Sequence, residues 1–112
     1  MISMDELLAM MVKRSASDLH LTVGTVPQLR IDGELVPLET EKLDPATCQR
    51  LVYSMLTDNQ KERFEKNSEL DISFGVRDVG RIRMNVFRQR GCVGAELRAI
   101  PSRILTFEEL SA

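Results

Sequence analysis

Three arginines close together carry the chemistry that this 112-residue chain offers. Arg81, Arg83 and Arg98 stand in the stretch Gly-Arg-Ile-Arg-Met-Asn-Val-Phe-Arg-Gln-Arg-Gly-Cys-Val-Gly-Ala-Glu-Leu-Arg, positions 80–98. The stretch alternates. In an extended strand Arg81, Arg83 and Asn85 fall on one face and Ile82, Met84 and Val86 on the other. After Arg88-Gln89-Arg90-Gly91 the alternation resumes, with Val93, Ala95 and Leu97 apolar and Gly94, Glu96 and Arg98 on the polar side. An even-numbered hairpin loop puts both polar sets on one face. A loop at Gln89-Arg90 sets Arg81 opposite Arg98 and Arg83 opposite Glu96. A loop at Arg90-Gly91 sets Arg83 opposite Arg98. Either register gathers guanidinium groups on a sheet whose other face is core. Like charges set opposite each other weaken a sheet, so the arrangement asks for an anion.

The choice of base narrows that anion. Between Arg77 and Arg103 there are seven arginines and no lysine, against only Asp78 and Glu96. Lysine would serve solubility equally well. Arginine offers a planar fork that grips phosphate or carboxylate with two bonds, and it keeps its charge when partly buried. A solvated outer face of a half-exposed sheet is the plainer explanation of the same run.

Other chemistry is thin. His20 is the single imidazole, with no serine or cysteine nucleophile beside it in sequence, and it reads as a hydrogen-bonded structural histidine. Cys48 and Cys92 are far apart and lack metal-site spacing, so two unbridged thiols in a reducing compartment are expected. The net charge of −2 argues against a protein that binds nucleic acid over its whole surface. Its four Phe and one Tyr leave few stacking residues for single strands, with Phe87 the one aromatic near the polar hairpin face. Acids at Asp5 and Glu6 stand where a signal peptide would be basic and then apolar, and no stretch has membrane-spanning length.

The elements that must position the arginines are legible in order. Ser3 and Glu6 form a capping box ahead of a helix whose stripe is Leu7, Leu8, Met11 and Val12. Leu19, Leu21 and Val23 alternate with Asp18, His20 and Thr22 as a strand. Residues 28–31 and 34–37 flank Asp32-Gly33, a tight-turn pair that predicts a hairpin. Asp44-Pro45 opens a second helix with Cys48, Leu51, Val52, Met55 and Leu56 on its buried side. Thr57 and Gln60 repeat the capping box for a short charged helix ending near Asn67. Leu70, Ile72 and Phe74 then alternate with Glu69, Asp71 and Ser73 in a strand leading through 76–80 into the arginine hairpin. Thr106 and Glu109 could cap a further helix, but the sequence given ends within a turn of it, which reads as a domain cut at a linker. One α+β domain with a mostly antiparallel sheet packed against helices follows from this order.

In this setting several motifs occur together. They are Ala16-Ser17-Asp18-Leu19-His20-Leu21, then Gly24, Pro27, Arg30 and Asp32-Gly33, then Leu70-Asp71-Ile72-Ser73-Phe74. Positions 80–91 follow, then Leu97-Arg98-Ala99-Ile100-Pro101 and Thr106-Phe107-Glu108-Glu109-Leu110. Over essentially its whole length the chain resembles the amino-terminal domain of the type IV pilus retraction ATPases of the secretion and pilus motor superfamily. Ile82 and Met84 depart from the Phe and Val expected there, and Leu105 from Pro, without disturbing the apolar phase.

The resemblance implies a PAS-like domain over 1–100, with 101–112 starting a linker to a RecA-like ATPase domain. It implies a parent that binds ATP and Mg²⁺ and assembles as a homohexamer. That motor would sit in the cytoplasm at the inner-membrane base of the pilus, beside the inner-membrane platform protein, with neither membrane insertion nor nucleic acid involved. It further implies that Arg81, Arg83 and Arg98 reach toward the nucleotide phosphates. Within the sequence itself, none of the six glycines opens a Gly-x-x-x-x-Gly-Lys-Ser/Thr loop. The chain alone is therefore expected not to hydrolyse ATP. A free-standing PAS-like module that binds a small ligand or a partner is the alternative.

Overall fold

The computed structural model describes residues 2–77 and 79–100. Its elements run α1 (Met4–Lys13), β1 (Asp18–Leu21), β2 (Gln28–Ile31), β3 (Glu34–Pro37), α2 (Pro45–Tyr53), α3 (Asp58–Asn67), β4 (Glu69–Val76), β5 (Gly80–Gln89) and β6 (Cys92–Ile100). The strands form one six-stranded sheet in the order β3-β2-β1-β6-β5-β4. Among the described residues every pairing is antiparallel, as the expected α+β architecture with its mostly antiparallel sheet requires.

Local chemistry sets the helix starts. The Ser3 hydroxyl accepts the Glu6 amide, the Asp44 carboxylate accepts the Thr47 amide ahead of Pro45, and Thr57 with Gln60 completes a reciprocal capping box. Ser15 and Ser68 take positive φ where α1 and α3 end. At both two-residue hairpin loops, Asp32-Gly33 and Arg90-Gly91, each residue has positive φ, as a type I′ turn requires. The second loop selects between the two registers left open above: Gln89 pairs with Cys92, and Arg83 faces Arg98.

The helices lie on one face of the sheet. α2 packs on β6, α3 on β4 and α1 on β1. Beneath them Leu19, Leu21, Leu29, Ile82, Met84, Val86, Val93, Ala95 and Leu97 are buried, and Leu7, Leu8, Met11, Leu51, Val52 and Phe64 come down from the helices. At the far end of β5, Arg88 closes this layer with its guanidinium 5.0 Å from the centre of the Phe64 ring.

Three assignments differ in detail from the sequence expectation. Val12 is 48% exposed and Met4 takes its place in the stripe. At 100° per residue Val12 lies roughly 90° from the stripe's centre, at its margin. β1 stops at Leu21, leaving Val23 half-buried in the following turn. α2 ends at Tyr53, so Leu56 reaches the core from the connection and not from the helix. The expected helix near Thr106 and the linker at 101–112 lie outside the described residues.

Candidate functional site

Among the described residues no helix covers the opposite face of the sheet, and its side chains are polar in register. One row across the strands reads Arg30, Asp18, Arg98, Arg83 and Ser73; the next reads Gln28, His20, Glu96, Asn85 and Asp71. Alternation alone puts them there, because each residue of one row stands two positions along the same strand from its counterpart in the other. Asp18, Asp71, Arg83, Asn85, Glu96 and Arg98 line a half-open depression of about 190 Å³.

The face brings the three arginines together, and their partners differ. Arg83 grips Asp71 with both arms of a fork, Nη2 to Oδ2 at 2.7 Å and Nε to Oδ1 at 3.2 Å. The pair is diagonal, since Asp71 faces Asn85 across the ladder while Ser73 faces Arg83. Arg98 donates through Nε alone, at 2.8 Å, to Oδ1 of the directly opposite Asp18. Among the described residues no acceptor engages its two η nitrogens. Arg81 sits two residues along from Arg83 and donates to the Ser73 hydroxyl at 2.9 Å.

The anion that the sequence pattern asks for is thus partly supplied by the chain itself. The sequence pattern puts Asp18 and Asp71 in the polar sets of their strands but does not join them to the arginines. Asp71 could have been found from the β4–β5 register. Asp18 could not, because it lies 80 positions from Arg98 and the order of strands is silent in the pattern.

Asp18 is the single buried charged residue among those described, at 6% exposure. Its other oxygen, Oδ2, accepts the Ser17 hydroxyl at 3.0 Å and lies 3.4 Å from Nε of Arg30. Burial opposes its ionisation, but the hydrogen bonds from Arg98 and Ser17 and the Arg98 charge outweigh it, holding the carboxyl below its ordinary value. Hydrogen bonding from Arg83 likewise depresses Asp71, and the two arginines are raised in return by their carboxylates.

The remaining candidates fall away from this chemistry. His20 Nδ1 stands 3.8 Å from Glu96 Oε1, with no nucleophile in the same cluster. Phe87 is not open for stacking: its ring covers Gly94, where an added Cβ would come within 2.8 Å of the ring and 3.1 Å of the Leu21 carbonyl. That contact explains why Gly94, placed by alternation on the polar side, is buried. Cys48 is buried against β6, which pushes its thiol up to about 11, and Cys92 is half-buried beside the hairpin turn; both are free thiols. No helix among the described residues is long and apolar enough to cross a membrane.

The same fold recurs in solved proteins. The structure of the pilus retraction motor PilT with bound ADP superposes with a TM-score of 0.84 at 42% identity, covering 91% of this chain and 30% of that one. This chain has the amino-terminal domain of the secretion and pilus motor ATPase family. In sequence it is 43% identical over 105 residues to the type IV pilus retraction ATPase PilT of Pseudomonas aeruginosa, which is 94% of this chain and 30% of that protein. It is 34% identical over 106 residues to the type IV pilus ATPase PilU of the same organism, 95% of this chain and 28% of that protein. The chain therefore spans less than a third of the length of these relatives. No family model matches it.

Proposed function

We propose that the chain serves as the amino-terminal domain of a homohexameric ATPase that powers type IV pilus retraction. In this reading it supplies contacts between subunits and turns Arg81, Arg83 and Arg98 toward the phosphates of ATP, while Mg²⁺ and the Walker loop belong to a RecA-like domain. The assembly works in the cytoplasm at the inner-membrane base of the pilus, against the platform protein. The identity of 43% over 94% of the chain is what carries the proposal.

The donor set fits the phosphate part of the reading. Arg98 keeps its η nitrogens clear of the described residues while Asp18 fixes its Nε, so the flat outer edge of the guanidinium stays available to a second anion. Bound ATP would supply the phosphoryl group whose charge these donors meet. The arginines themselves would position the phosphates and favour the charge that builds on them, which needs donors fixed in advance. Nothing in residues 2–77 and 79–100 offers three acidic or imidazole ligands grouped for a metal ion.

A domain exchange tests the proposal. Residues 1–100 replace the matching region of the Pseudomonas retraction ATPase, and twitching is scored in cells lacking the native protein. Restored twitching with a hexameric product is the expected result. A stable hexamer that hydrolyses ATP at the native rate yet never retracts pili would overturn the assignment to retraction.

A further inference from the structure

Arg83 and Arg98 are cross-strand neighbours of the same type, yet their carboxylates hold them in different ways. Asp18 lies on a central strand, 8% exposed in its side chain, and is bonded by Ser17 and approached by Arg30 besides Arg98. Removing it from Arg98 would strand a buried charge. Asp71 lies on the edge strand β4, its side chain is 45% exposed, and Arg83 is its one hydrogen-bond partner among the described residues. The Asp71–Arg83 contact is also diagonal, so either side chain can turn away without moving the ladder. The fork uses Nε and Nη2 of Arg83 together, the same edge that a phosphate would need.

Resting on the phosphate reading above, we infer that Asp71 is an exchangeable counter-ion that occupies Arg83 until a phosphate displaces it, while Asp18 is a permanent positioning residue for Arg98. The face then holds one arginine ready and one in reserve. Asp71 spares the sheet the repulsion between Arg83 and Arg98 when no phosphate is present. It also sets a threshold: a phosphate must compete with a carboxylate already in place. A weakly held, solvent-exposed ion pair suits that task because it is worth little and breaks without disturbing the fold.

The test uses this chain and inorganic tripolyphosphate as the probe, in about 0.1 M salt to damp the general field. Affinity is followed by NMR through the side-chain Nε–H signals of Arg83 and Arg98. Asp71→Asn should tighten binding about threefold to fivefold, the worth of an exposed pair. Glu96→Gln removes the same charge from the same depression without freeing Arg83, and should change affinity less than twofold by the same measure. In an Arg83→Ala background the gain from Asp71→Asn should vanish. Equal gains from Asp71→Asn and Glu96→Gln, or a gain that survives Arg83→Ala, would show a field effect and overturn the exchange. If Arg81→Ala and Arg98→Ala leave tripolyphosphate affinity unchanged, the phosphate reading itself fails, and the exchange falls with it. Thermal melts of each variant separate these outcomes from lost folding.

Discussion

The two faces of one sheet obey different rules. Toward the helices, Ile82, Met84, Val86 and Leu97 are wholly buried, and their position is fixed by volume. Toward solvent, Arg81, Arg83, Asn85 and Arg98 come from the alternate positions of the same strands; Arg83 and Arg98 are held by the carboxylates of Asp71 and Asp18, and Arg81 by the Ser73 hydroxyl. The difference teaches that the first face makes the domain stable, while the second is the one the proposed function draws on. Asp18 is the exception that joins them, a charge on the open face buried nearly as deeply as the core.

The sharpest break in the comparison should come from the core. Met84→Ala removes a wholly buried side chain from the middle of β5 and should cost about 3 kcal/mol in urea denaturation. A loss within error of zero would mean that the helix layer does not hold the sheet. Asp18→Ala comes next, at about 2 kcal/mol, since it removes a buried acceptor of a charged hydrogen bond and leaves Arg30 and Arg98 without their shared carboxylate. Asp71→Ala should lower the denaturation midpoint only slightly, as loss of an exposed pair does. If Asp18→Ala were as mild as Asp71→Ala, the distinction between a fixed and an exchangeable carboxylate would disappear.

Acid should separate the same two residues. A carboxyl held low in the folded state adds stability in full above its unfolded value near 4, and that stability is lost as pH falls through the lower folded value. Wild-type stability should therefore decline below about pH 4, and the decline should be shallower in Asp18→Asn. An unchanged acid limb in that variant would contradict the pairing.

The smallest effect concerns the thiols. Native alkylation without reductant should modify Cys92 first and reach Cys48 only on unfolding, because burial holds Cys48 as the unreactive thiol. Mass spectrometry reads the order directly, and simultaneous modification would place Cys48 outside the core layer.

How much of this could be read from the sequence follows from the range of each interaction. Both hairpins, all three helix caps and the apolar phase of β5 and β6 depend on residues within a few positions of one another, and all were visible. The loop register was not, because Gln89-Arg90 and Arg90-Gly91 both permit a hairpin until backbone twist puts Gly91 at φ 79° and Arg90 at φ 55°. The insertion of β1 between β2 and β6 was invisible too, since nothing in an alternating pattern states which strand is its neighbour. That one non-local pairing decides the character of the open face, because it delivers Asp18 to Arg98. The arginine positions were therefore legible and their counter-ions were not.

ATP turnover by the domain-exchanged hexamer tests the central claim most directly. With hexamer content measured alongside, Arg83→Ala and Arg98→Ala should each lower turnover at least about tenfold, as loss of a charge-stabilising donor does. Lysine at either position should rescue poorly, lacking the planar fork. Arg77→Ala, in the exposed turn after β4, is the control and should change turnover little. Intact Arg83→Ala and Arg98→Ala hexamers that hydrolyse ATP at the unsubstituted rate would contradict the account and assign the arginine face to another acidic partner.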